Sequence, residues 1–234
     1  MLQLFDAVEA DERFRALEVG CSLGRGNADE LSDVDVGLWI DDAAWESALG
    51  ALEPLLRTFG SVVDVAGFDA PWGRWFFAQY ADGGQLDVAA QRVSAAKGHT
   101  VDSVVLFDPD GILRDAQVRE VRHREDEWAF LTWFALGNVP KYLARGSLWE
   151  ALAALEEARS EFLRLYAAKI GAPNPQFGVT SIFDTPGGDV PRELSDTYAR
   201  ADVNDIRRAA HALAALLETA HPAPPLAVWV RAKL

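Results

Sequence analysis

The chain has 234 residues, of which 50% are hydrophobic and 25% are charged, and its formal net charge is −14. This composition is ordinary for a globular protein, and the single cysteine excludes an internal disulfide framework. The acidic balance and the lack of a Lys/Arg run argue against a nucleic-acid partner, because a protein that binds polymeric nucleic acid normally presents a basic face. Without a long apolar stretch or a basic leader, we expect no membrane span and no signal peptide, and therefore a cytoplasmic protein.

The first half of the chain alternates between helical and strand-like patterns. A helix is predicted over residues 3–15 and a short strand over 16–21, which leads into a turn rich in glycine and serine at 20–26. Further strands are predicted at 34–40, 62–65, 74–80, 85–90 and 103–107, with a helix after Asp41 and Asp42 and a hairpin turn at 81–84. These elements indicate a small mixed β-sheet with helices on one side.

The second half of the chain, after a turn signal at 108–111, is rich in Ala, Leu, Glu and Arg with helical periodicity. Helices are predicted at 120–145, 147–170, 192–199 and 203–220, with a Gly/Pro-rich connection at 170–188. This pattern is typical of a helical bundle. We therefore predict an α+β protein with an N-terminal mixed β-sheet domain (residues 1–115) followed by a C-terminal helical bundle (residues 116–234).

Two aspartates, Asp33 and Asp35, lie at positions i and i+2 in an otherwise apolar run. In a strand, residues two apart point to the same face, so both carboxylates would project from one side. Such a pair suits Mg²⁺, a hard cation that takes one or two carboxylates together with substrate phosphates. The turn at 20–26 can direct backbone N–H groups at an anion. Together the two features indicate a site for a metal–triphosphate complex.

The stretch from residue 20 to residue 40 resembles the signature of the DNA polymerase β-like nucleotidyltransferase superfamily. The residues in register with the usual form of that signature are Ser22, Arg25, Gly26, Ser32, Asp33 and Asp35. Cys21 stands where glycine is usual, and Gly24 replaces the more usual alanine. A sheet domain followed by a helical bundle also resembles the layout of antibiotic nucleotidyltransferases of the aminoglycoside and lincosamide type.

This resemblance implies a set of site residues and cofactors. In the superfamily a third carboxylate comes from a later strand, and Asp87 in the run Gln-Leu-Asp-Val fits that position. The resemblance thereby implies that Asp33, Asp35 and Asp87 are the catalytic residues and that they bind two Mg²⁺ ions. An NTP, with ATP expected, is implied to contact Cys21, Ser22, Arg25 and, from the helical half, Lys141. We expect Trp72 and Trp75 to pack in the core, with stacking on a base or sugar as the alternative.

The predicted function is transfer of an NMP, with AMP expected, to a hydroxyl of a small molecule such as an aminoglycoside-like antibiotic. The acidic chain would attract a cationic acceptor, although acidity also serves solubility alone. One alternative is a transferase that modifies a partner protein, as in toxin–antitoxin pairs, but short relatives of that kind typically lack a fused bundle. Another is a catalytically silent nucleotide-binding module, against which the presence of all three carboxylates argues. Neither a nucleic acid nor a membrane is expected as a partner.

Overall fold

The computed structural model describes residues 2–99, 102–114 and 124–234, and the chain divides into two compact units, Met1–Glu120 and Val121–Leu234. The first unit contains a six-stranded mixed sheet, and the second is helical. The predicted α+β class, a mixed sheet followed by a helical region, is confirmed. The domain boundary predicted between residues 115 and 116 lies outside the described residues and stays a prediction.

The elements of the first unit follow the predicted order. The strands are β1 (Phe14–Val19), β2 (Val34–Ile40), β3 (Val62–Ala70), β4 (Gly73–Tyr80), β5 (Gln85–Arg92) and β6 (Val104–Phe107). The helices are α1 (Leu2–Glu9), α2 (Cys21–Arg25) and α3 (Trp45–Leu56), and short 3-10 helices cover Asp42–Ala44 and Val93–Ala95.

The sheet has the strand order β3-β4-β5-β2-β1-β6. The central strands β2 and β5 run parallel, whereas the other neighbouring strands pair antiparallel. In this register Asp35 of β2 lies opposite Asp87 of β5. The parallel pair therefore brings two residues that are far apart in sequence to the same level of the sheet.

One face of the sheet carries the apolar core of the first unit. Leu38 of β2 and Val88 of β5 are fully buried there and belong to one cluster with Leu4 of α1 and Leu52 of α3. Burying each such side chain stabilises the fold by about 1.5–3 kcal/mol relative to leaving it exposed. A register slip of one residue would move these side chains to the other face and bury carboxylates instead. The apolar alternation thus fixes which face carries Asp35.

The helix predicted over residues 3–15 is wrong in its second half, because α1 ends at Glu9 and β1 already begins at Phe14. Asp11 causes the break. Its carboxylate accepts hydrogen bonds from the backbone N–H of Arg13 at 3.1 Å and from the Arg13 guanidinium at 2.6 Å. Its carbonyl accepts a third from the backbone N–H of Phe14 at 2.9 Å. This local turn ends the helix and starts the strand.

The turn predicted at 20–26 contains the short helix α2, and the strand predicted over 62–65 continues to Ala70. Gly67 permits this longer strand. A Cβ atom built on it would lie 2.9 Å from the ring of Phe76, so only glycine lets β3 pass this ring unchanged.

The second unit consists of helices and short connections. The helices are α4 (Glu125–Ala144), α5 (Leu148–Lys169), α6 (Val179–Asp184), α7 (Val203–Ala220) and α8 (Pro225–Arg231), with 3-10 helices at Pro175–Phe177 and Arg192–Thr197. Three of the predicted long helices are confirmed, apart from residues 120–123, which lie outside the described residues. The helix predicted over 192–199 is a 3-10 helix, and α6 and α8 were not predicted. None of the described helices is both long enough and apolar enough to cross a bilayer.

A single apolar cluster joins α4, α5, α7 and α8, with Trp133, Phe162 and Leu213 among its fully buried members. Arg159 of α5 is buried beside this cluster and donates hydrogen bonds to the hydroxyl and the carbonyl of Thr197 at 2.9 and 2.7 Å. Its guanidinium also lies 4.0 Å from the ring centre of Tyr198. Its third guanidinium nitrogen pairs with Glu156, so all three nitrogens have partners and the buried arginine ties the 3-10 helix to α5.

Candidate functional site

The polar face of the sheet brings together the three aspartates that the sequence singled out. Asp33 lies immediately before β2, Asp35 lies on β2, and Asp87 lies opposite Asp35 on β5. One carboxylate oxygen of each residue lies within 4.8 Å of the corresponding oxygens of the other two. We call these three residues the carboxylate cluster. Their role as metal ligands stays a prediction.

The position of Asp87 depends on the hairpin that precedes β5. The backbone N–H of Tyr80 bonds to the carbonyl of Gly84 at 2.9 Å, and the carboxylate of Asp82 accepts a bond from the N–H of Gly84 at 3.0 Å. The predicted hairpin turn at 81–84 is confirmed by the antiparallel pairing of β4 with β5. This turn sets the register that places Asp87 level with Asp35.

The carboxylates of the cluster repel one another, and burial disfavours their ionisation. Burial, followed by the charges of Asp35 and Asp33, raises the pKa of Asp87 to about 6. Burial and the charge of Asp33 also raise the pKa of Asp35, although a hydrogen bond from Cys21 and the charge of Arg25 act in the opposite direction. Three converging carboxylates that repel one another form an all-oxygen donor set, which fits a hard divalent cation such as Mg²⁺.

Beside the cluster, the short helix α2 lies within the predicted turn and is held close to the start of β2. The backbone N–H of Gly20 bonds to the carbonyl of Asp35 at 3.0 Å. A Cβ on Gly24 would lie 2.2 Å from the carbonyl oxygen of Asp102, so the more usual alanine does not fit here. The Ser22 hydroxyl is buried and has no hydrogen-bond partner among the described residues. It is thus a polar group that a ligand could satisfy.

Cys21 opens α2 with a φ of 52°, the left-handed region that favours glycine. Glycine would adopt this conformation without the strain that the Cβ of Cys21 causes. Desolvation, together with a hydrogen bond and the charge of Asp35, raises the pKa of the Cys21 thiol to about 12. The side chain is therefore a thiol that donates to Asp35, not a thiolate nucleophile.

The two basic residues predicted to bind the nucleotide differ in their surroundings. Arg25 has a largely buried side chain, and its Nη1 lies 3.9 Å from the carboxylate of Asp102, which indicates that it braces α2. Lys141 lies on α4 of the second unit, where its Nζ donates to Asn138 at 2.7 Å and lies 4.5 Å from the ring centre of Tyr142. Contacts of Arg25 and Lys141 with a nucleotide stay predictions.

Two features of this face were missed or misread in the sequence. Glu18 of β1 lies on the polar face beside Gly37. Burial raises the pKa of its carboxyl group, and a hydrogen bond from the Ser103 hydroxyl at 2.7 Å lowers that pKa by a smaller amount. The alternation of β1, in which its neighbours Leu17 and Val19 are buried, was the available signal for Glu18. The expectation of a core position was wrong for Trp72 and Trp75, since each is 39% exposed.

Comparisons with known proteins add a distant structural similarity. No family model matches the chain, and no curated protein matches it. Among solved structures, an aminoglycoside 6-adenyltransferase from Bacillus subtilis is 16% identical with a TM-score of 0.40, and the match covers 100% of this chain and 97% of that one. At this TM-score the overlay carries no argument about function, so the functional assignment depends on the site.

Proposed function

We propose that this protein is a Mg²⁺-dependent nucleotidyltransferase that moves an NMP, with AMP expected, from an NTP to a hydroxyl of a small molecule. The observation that carries the proposal is the carboxylate cluster, whose oxygens lie within 4.8 Å of one another on one face of the sheet. The motif at 20–26 and its resemblance to the nucleotidyltransferase signature support the same reaction. An aminoglycoside-like antibiotic is the acceptor class that this resemblance suggests.

The reaction is a substitution at phosphorus. The acceptor oxygen forms a bond to the α-phosphorus while the bond to the oxygen that bridges to the β-phosphorus breaks. Pyrophosphate leaves, and the proton of the acceptor hydroxyl is released to solvent. Such a transfer demands positioning and charge neutralisation more than covalent participation of the protein.

The residues of the site match these demands. In our proposal Asp33, Asp35 and Asp87 would hold the two Mg²⁺ ions, with Asp87 as the ligand on the acceptor side. When bound, Mg²⁺ supplies charge neutralisation for the triphosphate and lowers the pKa of the attacking hydroxyl. In the same proposal Ser22 donates to a β- or γ-phosphate oxygen, which is supported by its buried hydroxyl having no partner among the described residues. Arg25 holds α2 in place through Asp102.

The test is a transfer assay with ATP radiolabelled at the α-phosphate, Mg²⁺ and a panel of hydroxylated small molecules that includes aminoglycosides. We expect label on a small molecule, and loss of at least about a thousandfold in rate for Asp35→Asn, because one removed ligand impairs both metals. Asp69→Asn is the matched control, since this exposed β3 carboxylate pairs only with Arg74 among the described residues, at 3.6 Å. Full transfer by Asp35→Asn would refute the proposal. Label on a protein would instead support a protein-directed transferase.

A further inference from the structure

Four aromatic side chains form a partly exposed surface next to the carboxylate cluster. We call Phe68, Trp72, Trp75 and Phe77 the aromatic platform. Trp75 and Phe77 have ring centres 5.0 Å apart, Phe68 lies 6.1 Å from Phe77, and Trp72 lies 5.7 Å from Trp75. Phe68 is 59% exposed, and each tryptophan is 39% exposed. Contiguous exposed aromatic surface of this kind usually marks a binding site.

The platform is continuous with the carboxylate cluster through the sheet register. Phe77 of β4 lies directly opposite Asp87 of β5, and Trp75 lies opposite Ala89. Phe68 of β3 lies in turn opposite Trp75. Side chains opposite one another share a face, so the platform starts at Asp87 and extends toward the edge strand β3.

A hollow of about 270 Å³ lies where the platform meets the cluster. Its lining includes Asp64, Ala66, Phe77, Gln79, Gln85 and Asp87. The charged groups of this lining are the carboxylates of Asp64 and Asp87, and no described lysine or arginine lines the hollow. It therefore favours a positively charged occupant. An amine there could approach both the Asp64 carboxylate and an aromatic face, which attracts cations.

The positions of Ser22 and of the aromatic platform on opposite sides of the carboxylate cluster favour the platform side for the acceptor. The helix α2, which carries Ser22, lies on the β1 side of β2, because its Gly24 is close to Val19 of β1 and to Asp102 before β6, whereas the platform lies beyond β5 on the opposite side. In substitution at phosphorus the attacking and leaving oxygens lie roughly in line on opposite sides of the phosphorus. If the β- and γ-phosphates lie at Ser22, the attacking hydroxyl approaches from the side of Asp87 and Phe77.

We propose that the aromatic platform and the adjoining hollow bind the acceptor, and that the acceptor is a hydroxyl-bearing amine with a ring that has an apolar face. The ring lies on Trp75 and Phe77, the amine faces Asp64, and the hydroxyl points to Asp87. That the bound compound is the acceptor of the transfer rests on the proposed function. That the platform binds such a compound does not.

The test uses three probes and no nucleotide. Para-hydroxymethylbenzylamine has the ring, the amine and the hydroxyl; aminohexanol lacks the ring, and benzenedimethanol lacks the amine. Binding is followed by fluorine NMR of protein labelled with fluorotryptophan, in which single Trp→Phe variants assign the signals of Trp75 and of Trp149. Trp149 is an internal control, because it is 76% exposed on α5 of the second unit.

We expect the first probe to shift the Trp75 signal and leave that of Trp149 unchanged, with about tenfold weaker binding of each of the other two probes. Phe77→Ala should weaken the binding of the two probes that contain a ring. Asp64→Asn should weaken only the binding of the two probes that contain an amine, by a similar factor. No Trp75 shift, or equal binding of all three probes, would overturn the proposal. A Trp75 shift in a protein that shows no Mg²⁺-dependent NTP binding would sustain the platform and refute the proposed function instead.

Discussion

Replacing Asp87 by asparagine should stabilise the metal-free protein, even though we place Asp87 at the metal. Burial, followed by the charges of Asp35 and Asp33, raises the Asp87 pKa from 3.8 to about 6. The carboxyl group is therefore harder to ionise in the folded chain than in the unfolded one. At neutral pH and without metal, the wild-type fold carries this charge at a cost that asparagine removes.

The size of the effect follows from the pKa shift. A rise of about two units corresponds to about 3 kcal/mol. Because the side chain is partly exposed, solvent screening reduces this figure to about 1–2 kcal/mol. The folded-state pKa of Asp87 lies above the unfolded value, so the contribution of this one group to wild-type stability is full below pH 3.8 and is lost as the pH rises toward about 6. The advantage of Asp87→Asn should grow across that same window and then stay constant.

The assay is thermal unfolding followed by circular dichroism in EDTA from pH 4 to pH 8, with Asp69→Asn as the control. At pH 8 we expect the Tm of Asp87→Asn to exceed that of the wild type by about 3–6 °C, and the control to differ by less than about 2 °C. Addition of Mg²⁺ should raise the Tm of the wild type by more than that of Asp87→Asn, which keeps only part of the donor set. A destabilised Asp87→Asn protein at pH 8, or a pH-independent difference, would refute this reasoning.

Three further predictions concern the same face of the sheet. Mg²⁺ affinity, measured by calorimetry, should fall as the pH drops below about 6, because the raised pKa of Asp87 lets protons compete for the ligand; a constant affinity down to pH 5 would contradict this. At position 21, Cys21→Gly should be more stable to urea than Cys21→Ala by about 1 kcal/mol, because φ is 52°, and equal stability would show that the turn is not strained. Gly37→Ala should cost about 1–3 kcal/mol, since the new Cβ would lie 2.8 Å from the buried ring of Trp39. The matched control is Gly50→Ala on α3, where the new Cβ would have no atom within 4 Å and should stabilise the fold by about 0.5–1 kcal/mol. A loss of stability at both positions would contradict this reasoning.

Much of the first unit could be predicted because its signals are local. The alternation of apolar residues located β2 at its observed bounds, and the turn at 81–84 identified the hairpin that carries Asp87. The break at Asp11 was missed because it depends on one carboxylate that bonds to Arg13, which a helical period does not reveal.

The surroundings of the carboxylate cluster were harder to predict because they depend on long-range packing. Glu18 is held by Ser103, which lies 85 residues away in sequence. Trp75 is exposed because the apolar cluster with α1 and α3 forms on the other face of the sheet, where Phe76 is buried. Composition favours a core position for a tryptophan, but which of two neighbouring aromatic residues is buried depends on the side of the sheet that the helices cover.

The central claim is that the carboxylate cluster binds divalent cations together with a nucleotide, and Mn²⁺ binding tests it most directly. The protein would be titrated with Mn²⁺ in the presence of an unreactive ATP analogue with a methylene bridge between the α- and β-phosphates, and bound Mn²⁺ counted by electron paramagnetic resonance. We predict two Mn²⁺ ions per chain in the wild type, one in Asp87→Asn and none in Asp35→Asn, with two in the Asp69→Asn control. Undiminished Mn²⁺ binding by Asp35→Asn would contradict the claim.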